Sequence, residues 1–233
     1  MSMLSWVREE KLPNLVLFVH GLKGGIDTWS FNDQVSFPLL IKEDSRFTNS
    51  CDIACFNYFT SFTTTYATSK SFLRKFFKSK KAFRKNLPIQ ELAELLSTEL
   101  KINLCNYDNI IVIAHSMGGL ISKACILKQI EEEQLSPVTG FISLAVPHSG
   151  AKVANIGGLI STNVQLSDLS VLSDATDKFT RDWINCPSKP QSKYIYAAHD
   201  SYVDKKSALA IGSTKQDSLA VDEDHSSICK PEN

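Results

Sequence analysis

Residues 109–127 read "NIIVIAHSMGGLISKACIL". The opening "NIIVIA", 109–114, is dominated by β-branched side chains, which suit a strand buried on both faces. From Leu120 to Glu133 the pattern is helical. Between the two, "AHSMGG" places Ala114 two residues before Ser116 and Gly118 two residues after it. A sharp strand-to-helix turn needs small residues at those places, and it lifts the serine hydroxyl clear of the sheet. The same turn aims the Met117 N–H and the start of the helix at one point. A developing oxyanion there would meet a donor and the positive end of a helix dipole. A serine that merely caps the junction is the plainer alternative. The flanking strand and helix supply the context that the reactive reading requires.

The segments on either side repeat this rhythm. "NLVLFV" at 14–19 is a short apolar run that predicts a buried strand, followed at once by the loop "HGLKGG". Residues 51–58, "CDIACFNY", predict another strand. In 90–103, Leu92, Leu95, Leu96 and Leu100 recur at helical spacing just after Pro88, a favourable place for proline. Strands follow at 138–146 and 192–198. This alternation predicts an α/β fold, a mostly parallel central sheet covered by helices on both faces, in a single domain over 1–233. Two segments fit less well and read as cap elements, a basic insertion at 60–88 and a second segment at 150–190.

Composition narrows the classes. Hydrophobic residues make up 43% and charged residues 21%, which suits a globule with a sizeable core. Formal net charge is zero, so overall charge points to no partner, and nucleic-acid binding is not expected. The N-terminal "MSMLSWVREEKLPN" lacks the long apolar core of a secretory signal, and no apolar run is long enough to cross a bilayer. These features predict a cytoplasmic or peripheral membrane location, with export by another route still open. Six dispersed cysteines read as buried free thiols, and no Cys/His cluster has metal-ligand spacing.

A serine is a weak nucleophile until a base takes its proton, so a histidine must come from elsewhere in the chain. Of the five, His115 adjoins Ser116 and is expected to point into the packing behind the strand. His20 shapes the loop after the first strong strand, and His148 in "VPHSG" suits a structural role or a pocket contact. His199 follows a late strand. His225, in "VDEDHSSICKPEN", stands where a nucleophile-acid-histidine order would place the base. For the acid, Asp200 lies nearest the end of the 192–198 strand, and Asp204 is the alternative.

These stretches together resemble the α/β-hydrolases, in the lipase-like branch that includes glycosylphosphatidylinositol inositol-deacylases and lipase-like serine-active-site proteins. The resemblance rests on "FVHGLKGGIDTW", "CDIACFNY", "IVIAHSMGGLISK", "LAVPHSGA", "HDSYVDKKSA" and "DHSSICKP", and spans residues 15–230. It implies Ser116 as nucleophile, Asp200 as acid, His225 as base, and the backbone N–H groups of Leu22 and Met117 as the oxyanion hole. It implies no cofactor and no metal. Ala114 replaces the commoner glycine of the elbow, as in several members of the branch. The short span between Asp200 and His225 leaves no room for a large lid there.

The expected reaction is carboxylic ester hydrolysis through an acyl-enzyme. From Lys70 to Lys85 there are eight Lys or Arg and no acidic residue, interleaved with Phe72, Phe76, Phe77 and Phe83. As a helix this segment gathers its phenylalanines on one face, although Lys80 falls inside that arc. Such a helix is suited to an anionic membrane surface. A lipid-like ester, phospholipid or lysophospholipid, is therefore the expected substrate. The alternatives are a small ester or thioester, a cap helix whose phenylalanines only pack, and a hydrolase fold kept for binding.

Overall fold

The computed structural model of the chain describes residues 2–22, 24–58, 88–133, 136–149, 166–210 and 212–232; for 133 and 166–175 it describes the backbone alone. The described strands are β1 (Leu4–Arg8), β2 (Asn14–Val19), β3 (Cys51–Phe56), β4 (Asn109–His115), β5 (Val138–Leu144), β6 (Gln191–Ala197) and β7 (Ser218–Val221). They form one seven-stranded sheet in the order β1-β3-β2-β4-β5-β6-β7. Only the β1–β3 pairing is antiparallel. The helices are α1 (Phe37–Glu43), α2 (Ile89–Ile102), α3 (Met117–Glu133), α4 (Leu166–Asn185) and the four-residue α5 (Lys205–Ala208).

The central strands have continuous apolar runs because helices cover both sheet faces. In β2, alternate side chains enter opposite layers. Leu15, Leu17 and Val19 pack with Leu92, Leu96 and Leu100 of α2 and with Leu120 and Ala124 of α3. Val16 and Phe18 pack with Trp29 and with Phe37 and Ile41 of α1. Helix α3 is buried from Gly118 to Ile126, between the sheet, α2 and α4. Its polar flank meets α2 through exposed Lys128–Glu94 and Lys101–Glu132 pairs, which contribute little each. Asp52, buried near the start of β3, is satisfied by the N–H groups of Glu10 and Leu12 and by the Tyr107 hydroxyl at 2.6 Å.

Strand order positions the site. From β2 the chain crosses to β3 on one side, then returns to β4 on the other. β2 and β4 run in register from Asn14 beside Asn109 to Val19 beside Ala114. Their carboxyl ends are therefore level while the loops diverge. A crevice opens at such a switch point.

Several boundaries differ from expectation. The 51–58 strand ends at Phe56 and the 138–146 strand at Leu144, where Ala145 turns the chain with φ 47°. The helix expected from Leu120 begins at Met117, directly after the serine. Strands β1 and β7 and helix α1 had no clear apolar pattern to announce them. Of the cap-like segment 150–190, residues 166–185 are α4; residues 150–165 lie outside the described residues, as does the basic insertion up to residue 87. Among the described residues, no helix is long and apolar enough to cross a membrane. All six cysteines are free; Cys51, Cys55, Cys125 and Cys229 are buried, whereas Cys105 is exposed and Cys186 half-buried.

Candidate active site

Ser116 joins β4 to α3 with φ 51°, in the left-handed region. That conformation costs a non-glycine residue about 1–3 kcal/mol, so the surroundings must hold it. The Ser116 N–H donates to the Leu144 carbonyl of β5 at 3.0 Å. Helix α3 then starts so close to its neighbours that side chains do not fit. A Cβ on Gly118 would lie 2.3 Å from the His20 carbonyl oxygen, and one on Gly119 2.2 Å from Val146.

The serine hydroxyl faces a histidine more than a hundred residues away. Ser116 Oγ is 3.1 Å from His225 Nε2, and His225 Nδ1 is 2.8 Å from Asp200 Oδ2. The Asp200 and His225 side chains are only 1% and 5% exposed. A carboxylate can only accept, so His225 carries its proton on Nδ1 and leaves Nε2 free to take one from Ser116. The other Asp200 oxygen accepts from the Tyr202 and Val203 N–H groups, each at 2.8 Å. Asp204, the alternative acid, instead caps α5 by accepting from the Ser207 N–H.

The loops that carry Asp200 and His225 are tied together. Ala198 N–H donates to the Val221 carbonyl and His199 N–H to the Glu223 carbonyl. Asp224 Oδ1 closes the turn around His225 by accepting from the Ser226 and Ser227 N–H groups. These two bonds hold the Asp224 carboxyl below its ordinary range. The Tyr202 ring stands edge-on to His225 with centroids 5.5 Å apart. Neither the amides on Asp200 nor Tyr202 carried a sequence signal.

The resemblance implies two backbone donors near the serine. The Met117 N–H opens α3 and has no intrahelical acceptor. The second belongs to Leu22, in the loop after β2. Gly21 lies against the elbow, since a Cβ there would sit 2.9 Å from Ser116 Cβ. The Gly21 carbonyl accepts from His20 Nδ1–H at 2.8 Å and from the Gly24 N–H at 3.2 Å. In a trans peptide the N–H points opposite to the C=O, so this grip turns the Leu22 N–H away from both donors.

Of the remaining histidines, His20, His115 and His148 are buried. His20 stacks on Tyr58 with centroids 4.2 Å apart, and burial lowers its pKa. His148 Nε2 meets Ser143 Oγ at 2.8 Å, and burial followed by nearby Lys123 holds its pKa well below 6.5. His115 does not pack behind the strand as expected. Its Nε2 lies 2.8 Å from the His225 carbonyl, and burial, then His225, push its pKa down to about 3. His199 pairs with Asp222 on the surface.

The profile of the PGAP1-like alpha/beta domain family matches residues 13–228. The chain belongs to this family. Protein SERAC1 of Danio rerio is 27% identical over 143 residues, which are 53% of this chain and 21% of that protein. The Homo sapiens protein SERAC1 is 26% identical over 138 residues, 52% and 21% respectively. This PGAP1-like chain thus spans about a fifth of the length of those curated relatives. Solved structures share its fold. The Bacillus licheniformis lipase BlEst2 has a TM-score of 0.53 at 19% identity, covering 96% of this chain and 89% of that one. A carboxylesterase study of Nitrososphaera gargenis contributes a structure with TM-score 0.56 at 11% identity, covering 97% and 88%. The type II thioesterase YbtT of yersiniabactin biosynthesis has 0.52 at 16%, covering 97% and 92%. The PGAP1-like fold is therefore that of the α/β-hydrolases.

Proposed function

We propose that the chain is a serine hydrolase that cleaves carboxylic esters of lipid-like substrates through an acyl-enzyme. The observation that carries this reading is the continuous relay from Ser116 Oγ through His225 to Asp200, at 3.1 and 2.8 Å, on a serine held at positive φ. His225 Nε2 takes the serine proton as Oγ attacks the ester carbonyl carbon. The Leu22 and Met117 N–H groups receive the oxyanion, and Asp200 stabilises the imidazolium. His225 then protonates the departing alcohol, and water repeats the sequence to release the acid. Each backbone donor of this kind contributes about two to three powers of ten in rate.

The lipid-like substrate is supported by the phenylalanine-rich basic run at 70–85, whose composition suits an anionic lipid surface. The test is hydrolysis of p-nitrophenyl esters of rising chain length, then of phospholipid and lysophospholipid in anionic vesicles. Ser116→Ala should abolish both activities and fluorophosphonate labelling. Replacing Phe76 and Phe77 with serine should depress vesicle turnover far more than turnover of a soluble short ester. Equal losses would overturn membrane docking. Preference for short esters or thioesters would replace the lipid reading, and an unlabelled, inactive wild type would leave a binding protein.

A further inference from the structure

His115 lies between the serine turn, the loop after β2 and the turn that carries His225. It precedes Ser116 directly in the chain. Its Nδ1 would lie 3.1 Å from a Cβ at Gly21, so its ring abuts the loop that carries Leu22. Its Nε2 is 2.8 Å from the main-chain oxygen of His225, and the two rings sit 4.9 Å apart at 51°. The residue is 8% exposed.

The direction of this bond follows from chemistry. A carbonyl oxygen only accepts, so His115 carries its proton on Nε2 and donates. Nδ1 then has no proton, and it finds no partner among the described residues. A second proton on Nδ1 would be buried without an acceptor and would repel a positive charge on the His225 ring. Burial keeps His115 neutral across the working range, so it donates without opposing the imidazolium.

We propose that His115 is a positioning residue for the hydrolytic site: by holding the His225 carbonyl it fixes the backbone of the base and presents the imidazole to Ser116. This rests on the serine-hydrolase reading, in which the base acts through Nε2. Among the described residues, the His225 turn is otherwise held by bonds within residues 224–230, by the loop after β6 and by the His225 ring on Ser116. The His115 bond ties that turn to the centre of the sheet. Removing it leaves Ser116, His225 and Asp200 present and lets the base drift from the serine. A misplacement of this size costs about ten- to a hundredfold in rate.

His115→Leu removes the donor at similar bulk, and His115→Gln places an amide N–H near the position of imidazole Nε2. Both variants are checked for native circular dichroism, then assayed on a soluble p-nitrophenyl ester beside the wild type and Ser116→Ala. The leucine variant should lose about ten- to a hundredfold in kcat with KM within about twofold, and glutamine should restore kcat to within a few-fold. Proton NMR supplies a readout independent of turnover, the low-field signal of the His225 Nδ1–H bonded to Asp200. It should persist with glutamine and broaden or vanish with leucine. Wild-type kcat in the leucine variant, equal losses in both variants, or an unchanged low-field proton throughout would overturn the proposal. Activity surviving in Ser116→Ala would instead overturn the serine-hydrolase reading, and the NMR arm would still decide the role of His115.

Discussion

Two aspartates four residues apart illustrate how contact decides role. Asp200 and Asp204 follow the same strand, yet one meets His225 and the other caps α5. Asp200→Asn offers an amide N–H where the carboxylate had accepted and so favours the wrong imidazole tautomer. A loss near four powers of ten in kcat is expected, with the fold intact. Asp204→Ala removes a cap and should cost about 1 kcal/mol of stability while leaving kcat nearly unchanged. Parallel ester kinetics and urea unfolding of the two variants check both outcomes. A kinetic loss in Asp204→Ala as large as in Asp200→Asn would reassign the acid.

At the scale of elements, α3 carries an unexpected cost. Lys123 is 1% exposed, and its Nζ has no hydrogen-bond partner among the described residues. It lies 5.0 Å from the Trp183 ring of α4 and 5.7 Å from the Tyr194 ring of β6. These aromatic faces attract a cation, but burial dominates, with Lys189 adding to it, and the pKa falls well below 10.5. Between the lowered folded value and 10.5 the unfolded chain binds more protons, so this residue's contribution to stability improves as pH rises. Lys123→Met should therefore stabilise the protein at neutral pH by about 1–4 kcal/mol. The advantage should shrink as pH approaches 10.5. Denaturant melts of both proteins at pH 7 and pH 10 measure it; a destabilised methionine variant would mean that the ammonium is well satisfied by the rings.

The whole molecule carries three buried histidines with lowered pKa values, His20, His115 and His148. Each is neutral when folded and takes up a proton on unfolding once pH falls below about 6.5. The unfolded state then binds more protons, so stability declines as pH falls through that window; for His115 the decline continues to about 3. With all three contributing, the slope approaches about 4 kcal/mol per pH unit. Urea midpoints between pH 7 and pH 5 should drop accordingly. A flat profile would mean that these histidines are reached by water in the folded state.

The sequence by itself determined the α/β alternation, because strands buried on both faces must be runs such as "NLVLFV" and "NIIVIA" and α2 must repeat its leucines at helical spacing. It also determined the serine turn, whose small residues are required locally. Strands β1 and β7 and helix α1 escaped notice because they are only partly buried and have no continuous apolar run. Chain order nominated Asp200 over Asp204 and His225 as the base, but it could not show that Asp204 caps α5 or reveal what His115 touches. The contacts that His225 makes with Asp200, Ser116 and His115 join residues 25 to 110 positions apart, across β4, the loop after β6 and the turn after β7. Local propensity acts over a few residues, whereas a hydrogen bond between distant loops exists only once the sheet has brought their strand ends together.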